Sequence, residues 1–261
     1  IKRGIYSFTD KKKHQVEITV SDIHGNRSKL KFYVRSVSPP ENIQVSDEPD
    51  DVIMMPYGRN NRFISGNVSV TIPSGALYDT LWFRFGKTDA QPGMYSELYH
   101  IHNKYTPLHK AFHLSIKPDD TPAGQATKLL IIRLTDDRKK IPLATSWDNG
   151  RLTANSGSFG NFYVGIDTIP PSIVPVGFTP GSDLGGREIL MMRIRDDLSG
   201  IKAYQPQIDG KWALFEYDQK NELLIYRFDP ERIRKGTKHM LILSVTDNRD
   251  NVRTYECEFE W

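Results

Sequence analysis

The sequence predicts an all-β protein built from tandem immunoglobulin-like β-sandwiches, of which the first is incomplete. Three observations carry this prediction: apolar and polar residues alternate in short runs, turn-forming residues separate those runs, and one hairpin pattern occurs twice. Nothing sustains a helical period for more than the single turn that residues 233–236 could form. The 261 residues suffice for about two domains at ~150 residues each, or for three smaller β modules.

The duplicated hairpin is the strongest of these observations. The segment that begins at Lys13 matches, without a gap, the segment that begins at Lys238. In each copy, apolar residues alternate along two runs joined by a polar turn. Because side chains on a strand alternate between faces, each copy predicts a hairpin with one buried face. The alternating residues are Val16, Ile18, Val20, Leu30, Phe32 and Val34 in the first copy, and Leu241, Leu243, Val245, Tyr255, Cys257 and Phe259 in the second.

The two copies differ in what precedes them. The second hairpin ends a full domain, residues 172–261, whereas only a few residues stand before the first. A hairpin alone is marginally stable in water and needs further strands to cover its apolar face. We therefore expect residues 1–36 to be the C-terminal hairpin of a truncated immunoglobulin-like sandwich, and the chain to be the C-terminal part of a longer protein.

Paired prolines mark the remaining boundaries. Residues 37–51 contain Pro39-Pro40 and residues 167–171 end in Pro170-Pro171, so both segments predict stiff, extended linkers. Residues 52–166 then predict a central β-sandwich domain, and residues 172–261 a C-terminal immunoglobulin-like one. The clearest predicted strands are 68–72, 80–85, 129–134, 189–195, 212–217 and 222–228. Of these, the strand 129–134 is apolar enough to be buried on both faces.

Composition and charge exclude several classes of protein. The net charge of +3 is spread along the chain, and the basic triplet at 11–13 is typical of a solvated turn, so we expect no nucleic-acid partner. One cysteine permits neither an internal disulfide nor a cysteine-based zinc knuckle. No apolar run approaches the ~18 residues of a membrane-spanning helix, so we expect the protein not to span a membrane.

Four histidines are candidate zinc ligands. His100 and His102 are two apart, which suits two ligands on one strand face, and His109 and His113 are four apart, which suits a helix. A catalytic zinc also needs a third protein ligand and a nearby acid or base. We therefore expect half-exposed strand histidines, and a free-standing zinc enzyme using His100 and His102 ranks last among the functional hypotheses.

Two oxygen-rich loops, 196–200 and 247–251, were weighed as calcium sites. Calcium takes six to eight oxygens, and neither loop has the spacing of an EF-hand. Asp, Asn, Ser and Gly also dominate ordinary turns, which is the role we expect here. Phosphate-loop, dinucleotide, nucleophile-elbow and His-Glu-x-x-His motifs are absent from the sequence. We therefore expect no catalytic residue, no cofactor and no metal, and this chain is not expected to be an enzyme.

Aromatic side chains leave a binding role open. Trp147, Trp212 and Trp261 could stack on sugar rings, but tryptophans commonly pack in sandwich cores, which is what we expect for them. Cys257 falls in the inward phase of its strand, where a free cysteine behaves as a small hydrophobic residue.

Several runs of residues carry a resemblance to known families. The C-terminal block contains RDDLSGI at 195–201, IDGKWALFEYD at 208–218, KGTKH at 235–239 and VTDN at 245–248. With these runs it resembles the non-catalytic C-terminal region of lysostaphin-type (LytM-like) zinc metallopeptidases of Bacteroidetes. The central block contains GNVSVTIPSGAL at 66–77 and KAFHLSI at 110–116, and with these it is similar to the ZU-type sandwich of ankyrins and netrin receptors.

The resemblance implies an accessory region of an exported cell-wall peptidase. Such peptidases bind zinc through His-x-x-x-Asp and His-x-His motifs; the first is absent here, so no catalytic residue is carried over. The implied partners are the chain's own upstream catalytic domain and peptidoglycan or another cell-surface glycan, and the implied location is the cell envelope or the exterior. Asp-Thr-Leu at 79–81 and Asp-Thr-Ile at 167–169 are similar to the O-glycosylation signal of exported proteins of that phylum. The rival hypothesis is a surface adhesion or glycan-binding module.

Overall fold

The computed structural model describes residues 10–35 and 52–261, and within these ranges the chain is nearly all-β. The one helix in the described ranges is a 3-10 turn, Ala126–Lys128. The predicted all-β class is confirmed, with the strands of residues 52–261 arranged in four sheets. None of the described residues belongs to a helix with the length and apolar character needed to cross a membrane.

The first hairpin forms as predicted. Strands β1 (Lys13–Ser21) and β2 (Arg27–Arg35) pair antiparallel, and Asp22 closes the turn by accepting the N–H groups of His24 and Asn26. The predicted burial of one face is wrong for this copy. Ile18 and Val20 are among its exposed apolar side chains, because the described sheet has two strands and a single layer.

The central sandwich is made of a six-stranded and a five-stranded sheet. The six-stranded order is β10-β9-β13-β7-β6-β3 and the five-stranded order is β11-β12-β8-β5-β4. The strands are β3 (Val52–Met55), β4 (Asn61–Ser65), β5 (Val68–Ile72), β6 (Leu81–Thr88), β7 (Leu98–Ile101), β8 (Phe112–Ile116), β9 (Leu129–Leu134), β10 (Lys140–Pro142), β11 (Thr145–Asp148), β12 (Arg151–Ser156) and β13 (Gly160–Ile166).

Inward-facing aromatic and aliphatic residues of both sheets fill the space between them. Phe83, Phe112 and Phe162 are fully buried there. Strand β9 is buried on both faces, as its continuous apolar run predicts. Leu129 and Ile131 join this core, whereas Leu130 and Ile132 join a second apolar cluster on the outer face of the sheet. That outer cluster positions the site described below.

The C-terminal sandwich is made of two four-stranded sheets, with orders β14-β15-β19-β18 and β17-β16-β20-β21. The second hairpin forms with its predicted buried face, since Leu241, Leu243 and Phe259 are fully buried and Cys257 is 4% exposed. The strands are β14 (Ser172–Val176), β15 (Ile189–Arg195), β16 (Ile201–Ile208), β17 (Lys211–Trp212), β18 (Phe215–Asp218), β19 (Leu223–Arg227), β20 (Lys238–Asp247) and β21 (Val252–Glu260).

The tryptophans depart in part from the core packing that we expected. Trp261 is buried and stacks on Phe228 with ring centroids 4.8 Å apart. Trp147 is partly exposed, although its indole N–H donates to the carbonyl of Ala126. Trp212 is 64% exposed, which contradicts the prediction. The predicted strand 212–217 is in fact two strands in different sheets, so one alternating phase does not run through both.

Candidate functional site

The candidate site lies where the central and C-terminal sandwiches meet. Three aspartates at the ends of strands converge there: Asp167 directly follows β13, Asp196 directly follows β15, and Asp247 ends β20. One carboxylate oxygen from each lies within 4.8 Å of the others. Asp247 is fully buried and Asp167 is 3% exposed, so this acidic cluster belongs to the interior of the junction.

Backbone N–H groups hold two of the carboxylates in tight turns. Asp196 Oδ2 accepts hydrogen bonds from the N–H groups of Leu198 at 3.0 Å and Gly200 at 2.7 Å. Asp247 Oδ1 accepts in the same way from the N–H groups of Arg249 at 2.7 Å and Asn251 at 2.8 Å. The turn-forming role predicted for loops 196–200 and 247–251 is therefore observed directly.

The third aspartate links the two sandwiches. Asp167 Oδ2 accepts the backbone N–H of Ser199 at 3.0 Å, across the junction. The side-chain amide of Asn251 donates both to the carbonyl of Asp167 at 3.0 Å and to Asp247 Oδ2 at 2.7 Å. Asn251 is 7% exposed, so these bonds are shielded from competing water.

The guanidinium of Arg249 donates two hydrogen bonds across the junction. Its Nη1 donates to the carbonyl of Leu129 at 3.1 Å and its Nη2 to the carbonyl of Thr145 at 3.1 Å. In return, Lys128 Nζ donates to the carbonyl of Arg249 at 2.6 Å. Leu198 adds apolar contact by packing against the outer cluster of the central sandwich. A cleft of about 460 Å³ opens beside these groups, bounded partly by Ser199, Asn248 and Arg249.

The electrostatics of the cluster bear on the protonation of Asp196. Burial raises the pKa of Asp196, and the nearby carboxylates of Asp167 and Asp247 raise it further, whereas the N–H groups of Gly200 and Leu198 lower it. Asp167, Asp196 and Asp247 are the side chains that could hold a hard cation here. One oxygen from each of the three carboxylates would supply three of the six to eight oxygens that calcium takes. That the protein holds no metal stays a prediction.

The sequence did not reveal that these loops meet. Aspartate with an Asn four residues on occurs in both hairpins, at Asp22 and at Asp247, and in both it forms the same turn. That spacing is a signal for turns and gives no information about distant partners. The bonds that join Asp167 to Ser199 and to Asn251 are non-local, and no periodicity in the sequence marks them.

The histidines weighed as zinc ligands have other partners. His100 Nδ1 lies 2.7 Å from Asn161 Oδ1, and His102 Nδ1 lies 3.3 Å from the backbone nitrogen of Arg84. The structure does not bring them together with other metal-ligating side chains in the ranges that it describes, where the one such group is the aspartate cluster. The other two histidines also have different partners. The ring of His113 contacts Asn155, and the ring of His109 packs edge-to-face with that of Tyr78.

Comparisons with known proteins bear on the fold. Residues 52–167 match the family model of the Zu5-like domain, which confirms the predicted similarity of the central block to that sandwich. No curated protein is significantly similar to the chain. Among solved structures, the chain is similar to the fibronectin(III)-like modules of Clostridium thermocellum CbhA, with 10% sequence identity and a TM-score of 0.27. The match covers 80% of this chain and 93% of that one. The central block of the chain is thus similar to the Zu5-like domain.

Proposed function

We propose that this chain is a non-catalytic accessory region whose two complete sandwiches act as one stiff unit that positions or anchors a partner domain. The observation that carries the proposal is the buried hydrogen-bond network of the junction. Arg249 and Asn251 on the C-terminal sandwich bond to main-chain carbonyls of the central one, and Lys128 bonds in the opposite direction. Main-chain acceptors hold fixed positions in their sheets, so these bonds oppose rotation of one sandwich against the other.

Stiffness would allow such a region to position the domains attached to it. The segment between the sandwiches is short and ends in Pro170-Pro171, and its first residue, Asp167, is itself bonded across the junction. A unit of this kind holds whatever is attached at its ends at a set spacing and orientation. An attached catalytic domain then works on a polymer at a high effective concentration, without any catalytic residue in the spacer.

In its finer form, the proposal places this region in an exported cell-wall metallopeptidase. Support comes from the resemblance of the runs at 195–201, 208–218, 235–239 and 245–248 to the C-terminal region of lysostaphin-type peptidases. The proposed partners are an upstream catalytic domain and peptidoglycan, and the proposed location is the cell envelope or the exterior.

The intact mass and upstream peptides of the protein purified from its native source test the finer form. We expect a species larger than 29.9 kDa, whose additional peptides contain His-x-x-x-Asp followed by His-x-His. In that parent protein, Arg249→Ala should slow cleavage of cross-linked peptidoglycan and leave cleavage of a short soluble peptide unchanged. A native protein that begins near Ile1, or whose upstream part contains only further sandwiches, would contradict the peptidase assignment.

The alternative is a surface adhesion or glycan-binding module. Exposed aromatic side chains favour it: Trp82 is 58% exposed, Trp212 64% and Tyr105 79%. Of these three, Tyr105 borders a cleft in the described part of the chain.

A further inference from the structure

A second cleft lies at one end of the central sandwich, where three loops meet. Its volume is about 430 Å³, within the ~300–1,000 Å³ that is typical of small-ligand pockets. Residues 102–105 after β7 form one wall, residues 133–137 at the end of β9 form the other, and residues 159–161 at the start of β13 lie between them. We refer to it as the loop-end cleft.

The loop that presents Tyr105 to this cleft is fixed by local hydrogen bonds. The N–H of Tyr105 donates to Asn103 Oδ1 at 3.0 Å, and the N–H of Thr106 donates to the carbonyl of Asn103 at 3.0 Å. Since the backbone is already ordered, the 79% exposed ring can bind a ligand with little additional loss of conformational entropy.

His102 anchors the same loop from beneath. It adopts a φ of +52°, and its ring packs edge-on against Phe159 with centroids 5.1 Å apart. Its Nδ1 faces the N–H of Arg84, so Nδ1 accepts, and Nε2 donates to Thr106 Oγ1 at 2.9 Å. Burial lowers the pKa of His102, and the charge of Arg84 lowers it further. The ring is therefore a neutral structural support for the loop.

The opposite wall is equally ordered. Thr135 closes a tight turn by donating its N–H to the carbonyl of Lys139 at 3.0 Å, and its hydroxyl donates to Asp137. Lys104 forms an ion pair with Asp136 across the cleft, and its Nζ lies 4.8 Å from the ring centroid of Tyr105. The two walls are thereby held at a set separation.

Glycine keeps the space between the walls open. Gly160 has a φ of +141°, a conformation that side-chain-bearing residues rarely adopt. A Cβ at this position would lie 3.9 Å from Cδ of Arg133 and 4.0 Å from Cβ of Lys104. A larger side chain would therefore project between two residues that line the loop-end cleft.

The charges of the lining identify the class of ligand. Two basic side chains, Lys104 and Arg133, are matched by two acidic ones, Asp136 and Asp137. A phosphate or nucleic-acid site needs an excess of basic groups, and a cation site an excess of acidic ones. Here donors and acceptors are mixed beside one exposed aromatic ring, which suits a ligand that carries both C–H faces and hydroxyl groups.

We propose that the loop-end cleft binds a neutral glycan, with the ring of Tyr105 against a sugar face and the charged and amide side chains of the walls bonded to its hydroxyls. This inference deepens the alternative, glycan-binding function and rests on it, and it is independent of the positioning role, because a stiff spacer works without any ligand. The two proposals therefore fail separately: loss of glycan binding leaves the junction intact, and a flexible junction leaves the cleft intact.

The test is a titration of the isotope-labelled chain with chitotriose, cellotriose, mannotriose and maltotriose, followed by amide chemical shifts. At up to about 10 mM sugar, which detects a Kd near 1 mM, we expect at least one of the four to shift the amides of Tyr105, Asp136 and Gly160 saturably. Tyr105→Ala should weaken that binding by about tenfold, the scale of an interface hot spot. Trp82→Ala, which removes an exposed ring elsewhere on the same sandwich, should leave it unchanged.

Three results would overturn the proposal. The first is that none of the four sugars shifts the amides of the loop-end cleft. The second is that sugar binding survives Tyr105→Ala unchanged while the variant keeps the wild-type spectrum elsewhere. The third is that heparin or inorganic phosphate shifts these amides and the neutral sugars do not, since the cleft would then be an anion site.

Discussion

Replacing Arg249 by alanine should uncouple the two complete sandwiches. The change removes the donors to the carbonyls of Leu129 and Thr145, and it removes a positive charge that interacts with the carboxylates of Asp167 and Asp247. Both carbonyls belong to residues that are at least nine-tenths buried, so water replaces the lost donors poorly.

The magnitude follows from those two bonds. A hydrogen bond from a charged donor contributes about 1.5–3 kcal/mol. Desolvation of the guanidinium offsets part of this, because the buried Nε of Arg249 has no hydrogen-bond partner in the described part of the chain. We expect a net loss of about 2–4 kcal/mol from the junction. For the whole unit of residues 52–261, that corresponds to roughly 5–15 °C in its melting temperature.

Scanning calorimetry is the assay. The wild-type protein should unfold residues 52–261 in one transition, and Arg249→Ala should split it into two. Arg249→Lys keeps the charge but loses the forked donor geometry, so the separation of its two transitions should lie between that of the wild-type protein and that of Arg249→Ala. Arg227→Ala, at an exposed position on β19, is the matched control. If Arg249→Ala melted like Arg227→Ala, within about 1 °C of wild type, the reasoning about the junction would be refuted.

Three further predictions concern single side chains. Asp196 has a raised pKa in the folded state, so the stability that its protonation contributes is complete below the unfolded pKa and is lost as pH rises through the folded pKa. In urea titrations, Asp196→Asn should therefore stabilise the protein by about 0.5–1 kcal/mol at pH 7 and have less effect at pH 4. An equal loss of stability at both pH values would contradict this reasoning. Burial raises the pKa of the Cys257 thiol, so Ellman's reagent should react with it slowly in buffer and fully in denaturant; rapid reaction in buffer would show that β21 opens readily. Phe259→Ala removes a fully buried ring from the C-terminal core and should lower the free energy of unfolding by about 3–5 kcal/mol, whereas Trp212→Ala, at an exposed position, should change it by less than about 0.5 kcal/mol.

The strands were predictable because strand periodicity is local. Alternation along 238–245 and 252–259 identified β20, β21 and their inward face, and the continuous apolar run at 129–132 identified a strand buried on both faces. The same reasoning failed at Trp212. There the chain passes from one sheet to the other at Ala213 and Leu214, and an alternating phase has no meaning across such a crossing.

Burial of the first hairpin was not predictable from its own residues. Its alternation is as regular as that of the second copy, yet Val20 and Leu30 are exposed where their counterparts Val245 and Tyr255 pack in or against a core. Alternation tells which side chains share a face. Whether that face is covered depends on other strands, which the hairpin's sequence does not specify.

The candidate site was predictable only in its parts. Loops 196–200 and 247–251 were identified as turns from their Asp, Asn, Ser and Gly residues, and they are turns. Their convergence with Asp167 depends on the packing of two domains, as does the reach of Arg249 to Leu129 and Thr145. Arginine in a polar turn is ordinary in a sequence, and its role emerges only when the acceptor carbonyls are located.

The most direct test of the central claim is the distribution of distances between the two complete sandwiches in solution. Spin labels at Arg62→Cys on β4 and Glu216→Cys on β18 occupy exposed strand positions, and the native Cys257 is buried. A label pair within the central sandwich, Arg62→Cys with Asp148→Cys, gives the width expected of a rigid body. A stiff unit predicts that the distribution between the sandwiches is as narrow as this reference and broadens in Arg249→Ala. A distribution that is already broad in the otherwise wild-type chain would contradict the claim that the junction makes the two sandwiches one unit.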